Sequence, residues 1–293
     1  MIIYLLVFLS GFSALIYQVL WMRQLGLLFG NTSHAAGATL AAFFAGLAVG
    51  SWFWGRRVSR SGQALRIYAG LEFGIAITAL PYFVVIRGYH AVYPEFYQTV
   101  HSGTWLLLIK FLLALVLVFP PAFCMGGTIP VIGQHAIRNP RRFGSTSALL
   151  YGVNTLGATL GALLAGFFMP LWFGFHLTCW VAIGITLVAA IIALGVSRSS
   201  AGPRAEQAGR DECCAATIGE PHGMSRASLA VVCFLSGFGV LALEVLWTRM
   251  FALVLENSVY TYAAILVVVL SCLALGSLIS SLLARSKWPP QSV

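Results

Sequence analysis

The sequence predicts an all-α integral membrane protein of about eight transmembrane helices: a complete six-helix half followed by the first two helices of a parallel repeat. Three observations predict it. Hydrophobic residues make up 59% of the chain and charged residues 9%, where a soluble domain is roughly a quarter charged. Nearly all the charges fall between apolar runs of about the twenty residues that a helix needs to cross a bilayer. Residues 8–23 (FLSGFSALIYQVLWMR) recur at 234–249 (FLSGFGVLALEVLWTR), with ten of sixteen positions identical at an offset of 226. The match runs without a gap to Ser51 and Ser277, giving 18 identities over 44 positions. A repeat this long signals two homologous helical halves.

The eight spans fall at about 3–22, 35–55, 67–87, 104–124, 145–168, 176–196, 228–250 and 260–283. They are read as helices because the backbone must satisfy its own hydrogen bonds in lipid. The first span lacks the charged start and small-residue cleavage site of a signal peptide, and its sequence recurs at 234, so it is a structural helix. In the fourth, Pro120-Pro121 interrupts the run and Gly126-Gly127 follows, which predicts a kink and a bent or interfacial continuation through Ile129–Ile137. Residues 198–227 form the long polar stretch, and their Gly, Pro, Ser and mixed charges read as a flexible cytoplasmic linker. The organisation is then a six-helix membrane half at 1–197, the linker at 198–227, two helices of the second half at 228–285 and a cytoplasmic tail at 286–293.

Orientation follows from the basic residues. Arg56, Arg57, Arg60 and Arg66 share one side with Arg138, Arg141 and Arg142, with Arg198, Arg204, Arg210 and Arg226, and with Arg285 and Lys287. Those are 13 of the 17 basic residues, which makes that side, and both termini, cytoplasmic by the positive-inside rule. Arg23 dissents, since span 1 has no basic residue before it, but the summed charge outweighs one helix. The expected location is the cell's inner (plasma) membrane, with both repeat copies running outward from the cytoplasm. Six spans, a cytoplasmic loop and a repeat match the layout of two parallel six-helix halves in major-facilitator transporters. The second copy supplies two helices where that layout holds six, so the expectation is a truncated two-half protein.

The net charge of +9 sits in short loops beside apolar segments. This is a pattern for topology and anionic lipids at the cytoplasmic face, not for nucleic acid. Cys124, Cys179, Cys233 and Cys272 lie in or at the ends of apolar segments, and Cys213-Cys214 form a linker pair with no second pair at metal-ligand spacing. The histidines are scattered. No metal and no cofactor is expected.

Small residues in the spans point to packing: Gly46-x-x-x-Gly50 and Gly157-x-x-x-Gly161 each form a stripe that lets two helices approach closely. Polar residues embedded in lipid are the functional candidates. Gln18 with Arg23, and their repeat counterparts Glu244 with Arg249, come near the outer ends of spans 1 and 7. Glu72 lies about 9 Å inside the cytoplasmic end of span 3, within reach of Arg66, and Lys110 lies at a similar depth from the outer end of span 4. Glu244 stands out because it is placed to meet Lys110 or Arg249. Asn154 reads first as an interhelical hydrogen-bonding group. Tyr17, Trp21, Trp52, Trp54, Tyr260 and Tyr262 read as interface anchors.

YQVLWMRQLGLLFGNT, FFAGLAVGSWFWGRR, CMGGTIPVI and LYGVNTLGATLGALLAGFFMPLWFG, in that order, resemble the membrane region of the fused major-facilitator/spermidine-synthase proteins. The resemblance spans about residues 5–285, and its most specific piece is Leu150–Ala158. It implies a polyamine connection and an aminopropyltransferase-like domain or partner. Two departures bear on function. Position 18 is Gln where the family usually has an acidic residue, which Glu244 keeps in the second copy. The catalytic domain is absent: Asp211 is the sole aspartate, and no glycine-rich nucleotide loop follows a strand-like run. The chain is thus not expected to be an enzyme by itself. Two readings follow: a transporter-like domain that binds or moves polyamines or a related small solute, and a non-transporting anchor for an aminopropyltransferase-like domain. For the first, the candidate substrate-binding residues are Glu244, Arg249, Gln18, Arg23, Asn154, Glu72 and Lys110.

Overall fold

A computed structural model describes residues 1–29, 33–59, 61–85, 87–88, 103–137, 143–199, 225–254 and 259–284. Among these the protein is all-helical, with eight helices long and apolar enough to cross a membrane. They are α1 (Ile2–Phe29), α2 (Ser33–Val58), α3 (Ala64–Ala79, prolonged past a turn to Val85), α4 (Gly103–Ala136), α5 (Phe143–Phe167), α6 (Met169–Ser199), α7 (Arg226–Val254) and α8 (Val259–Leu283). Most of the linker read at 198–227, and the tail at 286–293, lie outside the described residues, as do Arg60, Arg138, Arg141, Arg142 and Cys213-Cys214.

Span 4 carries on past its prolines, as the sequence predicts. Pro120, Pro121 and Pro130 all lie inside α4, and the helix carries on through them to Ala136 as one element rather than breaking. Proline within a transmembrane helix is tolerated where neighbouring helices and hydroxyl side chains take up the freed backbone groups. Here α2 and α3 both pack on α4. Pro81 has a visible effect on α3. It lacks an N–H, and the chain tightens around it, with Leu80 N–H donating to Ile77 O at 3.2 Å and Phe83 N–H to Leu80 O at 3.2 Å. In α6 the break falls at Gly174, whose φ of 71° and ψ of 178° belong to a region essentially reserved for glycine. The short piece before Gly174 carries Pro170 in its first turn, where a missing N–H costs nothing.

The packing is built on backbone contact at glycines. α2 and α4 form the most extensive pair, followed by α1 with α5 and α5 with α8. In the first pair Gly46 and Gly50 lie against the α4 backbone at Phe119 and Phe123, while Gly126 and Gly127 lie against Leu47 and Trp54 of α2. In the second, Gly157 and Gly161 lie against the carbonyls of Phe8 and Phe12, and Gly11 lies against the carbonyl of Asn154. Both stripes noted in the sequence therefore mediate helix contact, and each is answered by glycine on the partner helix. α3 completes this group by packing on α4 and α6.

The second repeat copy joins through α8. Gly166 meets Ala263, Gly152 meets Ser277 and Leu278, and the Ser281 hydroxyl donates to the Ser145 carbonyl at 3.0 Å. α7 packs chiefly on α8 and leaves most of its surface exposed. Gly237 and Gly276, the repeat counterparts of Gly11 and Gly50, have no group near the position a side chain would take.

Replacing Gly157 by alanine forces a Cβ into the Phe8 carbonyl, so G157A is expected to lose about 1–3 kcal/mol, the usual cost of overpacking. Gly184 has open space around it, so G184A is expected to be neutral or slightly stabilising. Thermal unfolding of the two purified variants beside the parent checks both, and equal melting of G157A and G184A would contradict the backbone-contact account.

Candidate functional site

A cavity of about 560 Å³ lies between the two repeat copies. Its walls come from α1, α2, α4 and α5 on one side and from α7 and α8 on the other. The repeat itself shapes it. α1 and α7 present the same positions to the cavity: Ser10 with Ser236, Gly11 with Gly237, Ala14 with Val240, Leu15 with Leu241, and Gln18 with Glu244, each pair 226 residues apart. α2 and α8 do likewise, with Phe43, Phe44 and Leu47 facing Val269, Leu270 and Leu273. On α1 the positions recur at intervals of three or four residues, which puts them on one face of the helix. The cavity is therefore approximately two-fold in its walls and asymmetric in its chemistry.

That asymmetry is concentrated at one pair. Gln18, 6% exposed, donates from Nε2 to the Tyr262 hydroxyl at 3.1 Å, tying α1 to α8. Glu244, also 6% exposed, is an electrostatic neighbour of the same Tyr262. Its Oε1 atom is buried and meets no hydrogen-bond partner. Glu244 is also the one charged residue among the described residues of the cavity wall. Around it the polar groups are modest donors and acceptors: Ser10, Ser236, Asn154, Thr128 and Thr155. The threonine hydroxyls are turned onto their own helices, Thr155 donating to the Tyr151 carbonyl at 2.8 Å and Thr128 to that of Met125. Such back-bonding satisfies the hydroxyl proton and leaves oxygen lone pairs as acceptors.

Of the seven residues singled out from the sequence, the structure brings Gln18, Glu244 and Asn154 together on the cavity wall. The other four lie elsewhere. Arg23 places its guanidinium 4.6 Å over the Phe175 ring, a cation–π contact between α1 and α6. Arg249 is exposed on α7, and half-buried Lys110 on α4 is outside the cavity wall. Neither cation is an electrostatic neighbour of Glu244, so the expected pairing does not form. Glu72 is wholly buried within the bundle and does not reach Arg66, which is exposed and donates to Gln63 Oε1 at 3.3 Å. Six residues apart on a helix, the two side chains point in different directions.

Sequence reasoning missed Tyr262. Its place near a span end suggested an interface anchor, yet it is buried and holds Gln18. Tyr17 and Trp21 are likewise core residues, 0% and 1% exposed and stacked with ring centres 5.3 Å apart. Trp52 and Tyr260 are exposed as anchors would be. The signal that was available is the one-face pattern shared by the repeat copies: positions 10, 11, 15 and their counterparts are identical residues.

Fold and site together define a multi-pass helical membrane protein with a cavity between two copies of a helix-pair repeat. No family model, curated protein or solved structure matches the chain. Among the described residues no cluster of His, Cys, Asp or Glu is arranged to hold a metal ion.

The Gln18–Tyr262 bond is expected to be worth about 0.5–1.5 kcal/mol. A double-mutant cycle of Q18L and Y262F, read by thermal unfolding, should return a coupling of that size, and strict additivity of the two losses would show that the bond contributes nothing.

Proposed function

We propose that this chain is the membrane region of a spermidine synthase-like protein and that its cavity binds a small organic cation of the polyamine or related amine class. The observation that carries this reading is the buried Glu244 carboxylate in the cavity wall, with one oxygen lacking a hydrogen-bond partner and no cation beside it among the described residues. A buried carboxylate without a partner is costly, and an ammonium group entering the cavity would offset that cost. The remaining wall is largely apolar, and Asn154, Ser10 and Ser236 offer hydrogen-bond acceptors along it. A single carboxylate matches one ammonium group with a methylene chain laid against the wall, rather than two ammonium groups held at once. The volume of about 560 Å³ lies in the range usual for small-molecule sites. The resemblance noted in the sequence supports the same substrate class.

On this reading the chain acts as a transporter-like domain, with alternating access arising from movement of one repeat copy against the other. The alternative role, an anchor for an aminopropyltransferase-like domain or partner, needs no ligand in the cavity. Binding of a labelled polyamine to the purified protein in nanodiscs, and its uptake by proteoliposomes, separate the two. E244Q is expected to bind about 10- to 150-fold more weakly, corresponding to a charge-assisted hydrogen bond of about 1.5–3 kcal/mol. Equal binding and flux in E244Q would sink the proposal, and no binding by either protein would leave the anchor.

The charge distribution supports cytoplasmic termini and a cytoplasmic linker in the inner membrane. A fluorescent protein inserted within residues 198–227 should then fluoresce, and alkaline phosphatase inserted there should be inactive. The reverse pair of results would invert the orientation.

A further inference from the structure

Glu72 is the second embedded acid among the described residues, and it does not belong to the cavity. It sits on α3 at 0% exposure, between Leu71 and Ile75, which belong to the two separate apolar clusters of the bundle. Neither carboxyl oxygen closes a hydrogen bond. Its polar neighbours are Ser10 on α1 and Tyr68 one turn earlier on α3. The Tyr68 hydroxyl proton is committed to the Leu6 carbonyl at 3.0 Å, so it is not free to serve the carboxyl. The other titratable groups that face Glu72 are Tyr17 from α1 and Cys124 from α4, and both are neutral in their ordinary state. α6 also packs on α3, but it turns Cys179 toward Tyr17 and Tyr82 and gives Glu72 no electrostatic neighbour. Among the described residues no Lys, Arg or His is an electrostatic neighbour of this carboxyl.

An ionised carboxylate in such surroundings carries a desolvation cost that the hydroxyls of Ser10 and Tyr68 offset only in part. A metal cation would need several oxygen ligands around the carboxylate, and the residues here do not supply them. A proton needs none. One connection to the outside exists: Ser10, the neighbour of Glu72, also lines the central cavity.

We infer that Glu72 is a proton-binding site, separate from Glu244, that loads and unloads through the Ser10 hydroxyl into the central cavity. In loading, Ser10 gives its hydroxyl proton to a Glu72 oxygen while a hydronium in the cavity gives a proton to Ser10 Oγ and is left as water. Unloading runs the two transfers in reverse, and no oxidant or further reactant takes part. The site lies inside the first repeat half, between α1, α3 and α4, so its occupancy acts on the packing of the helices that form the cavity wall. It stands whether or not the cavity takes an amine.

Infrared spectroscopy of the full chain in lipid nanodiscs tests it. In E244Q, Glu72 is the one acid left among the described residues, and a neutral-carboxyl band in near-neutral buffer that depends on position 72 reports on it. That band is expected in E244Q and should be missing from E72Q/E244Q, where Gln keeps the shape and neutrality of the protonated acid. On transfer to heavy water the band should shift, and in S10A/E244Q the shift should be about tenfold slower, as fits removal of a hydrogen-bonded step of ordinary strength. Absence of the band from E244Q overturns the proton site, and an unchanged exchange rate in S10A/E244Q overturns the route. Should E72Q/E244Q fail to fold, E72D/E244Q replaces it: a band that moves in frequency there belongs to position 72, and a band unchanged there overturns the proton site.

Discussion

Backbone-to-backbone contact at glycine is the constraint on which the rest of the structure depends. Lipid removes the hydrophobic drive that pairs helices in water, so association rests on how closely two backbones can approach. Gly157 and Gly161 admit the carbonyls of Phe8 and Phe12, and Gly46 and Gly50 admit the α4 backbone at Phe119 and Phe123. Each contact is reciprocated from the other helix, by Gly11 in one pair and by Gly126-Gly127 in the other. These two locked pairs set where α1 and α2 turn their remaining faces. The cavity is the space that those faces leave open toward α7 and α8.

The repeat then explains why the cavity has the walls it has. A duplicated helix pair presents the same positions twice, and Ser10, Gly11 and Leu15 line the cavity together with their own copies Ser236, Gly237 and Leu241. The difference with most consequence is at Gln18 against Glu244. One member spends its amide on Tyr262, and the other keeps a carboxylate oxygen without a partner next to the same tyrosine. The described cavity wall is thus neutral on one side and acidic on the other. Glu72 is embedded still more completely and stands outside the cavity wall, with Ser10 the residue common to both.

How far the sequence could be read differs from element to element. The eight spans, their order and the glycine stripes were legible, because each depends on a local run of residues. The continuation of α4 past its prolines was legible too, but not which neighbours pack around it there. Tyr17, Trp21 and Tyr262 were mistaken for interface anchors because depth along a helix can be counted in residues, whereas the direction a side chain faces cannot. The same limit hid the separation of Glu72 from Arg66 and of Glu244 from Lys110 and Arg249. Gln18 and Glu244 were legible as a pair through the repeat, and Asn154 was legible only as a polar residue embedded in its span, since α5 has no second copy in this sequence with which to compare it.

The sequence by itself determined the solvent, the helical class, the count and order of spans, and the duplication with its one chemically significant change. It could do so because lipid demands that each span be apolar and satisfy its own hydrogen bonds, and that demand is met within about twenty consecutive residues. Only the tertiary structure decided which face of each helix meets which neighbour, and so which polar residues share a cavity and which stand apart. In a membrane both the buried and the lipid-facing sides of a helix are apolar, so hydrophobic patterning does not mark the inward face. That face is fixed by close contact between helices far apart in the chain.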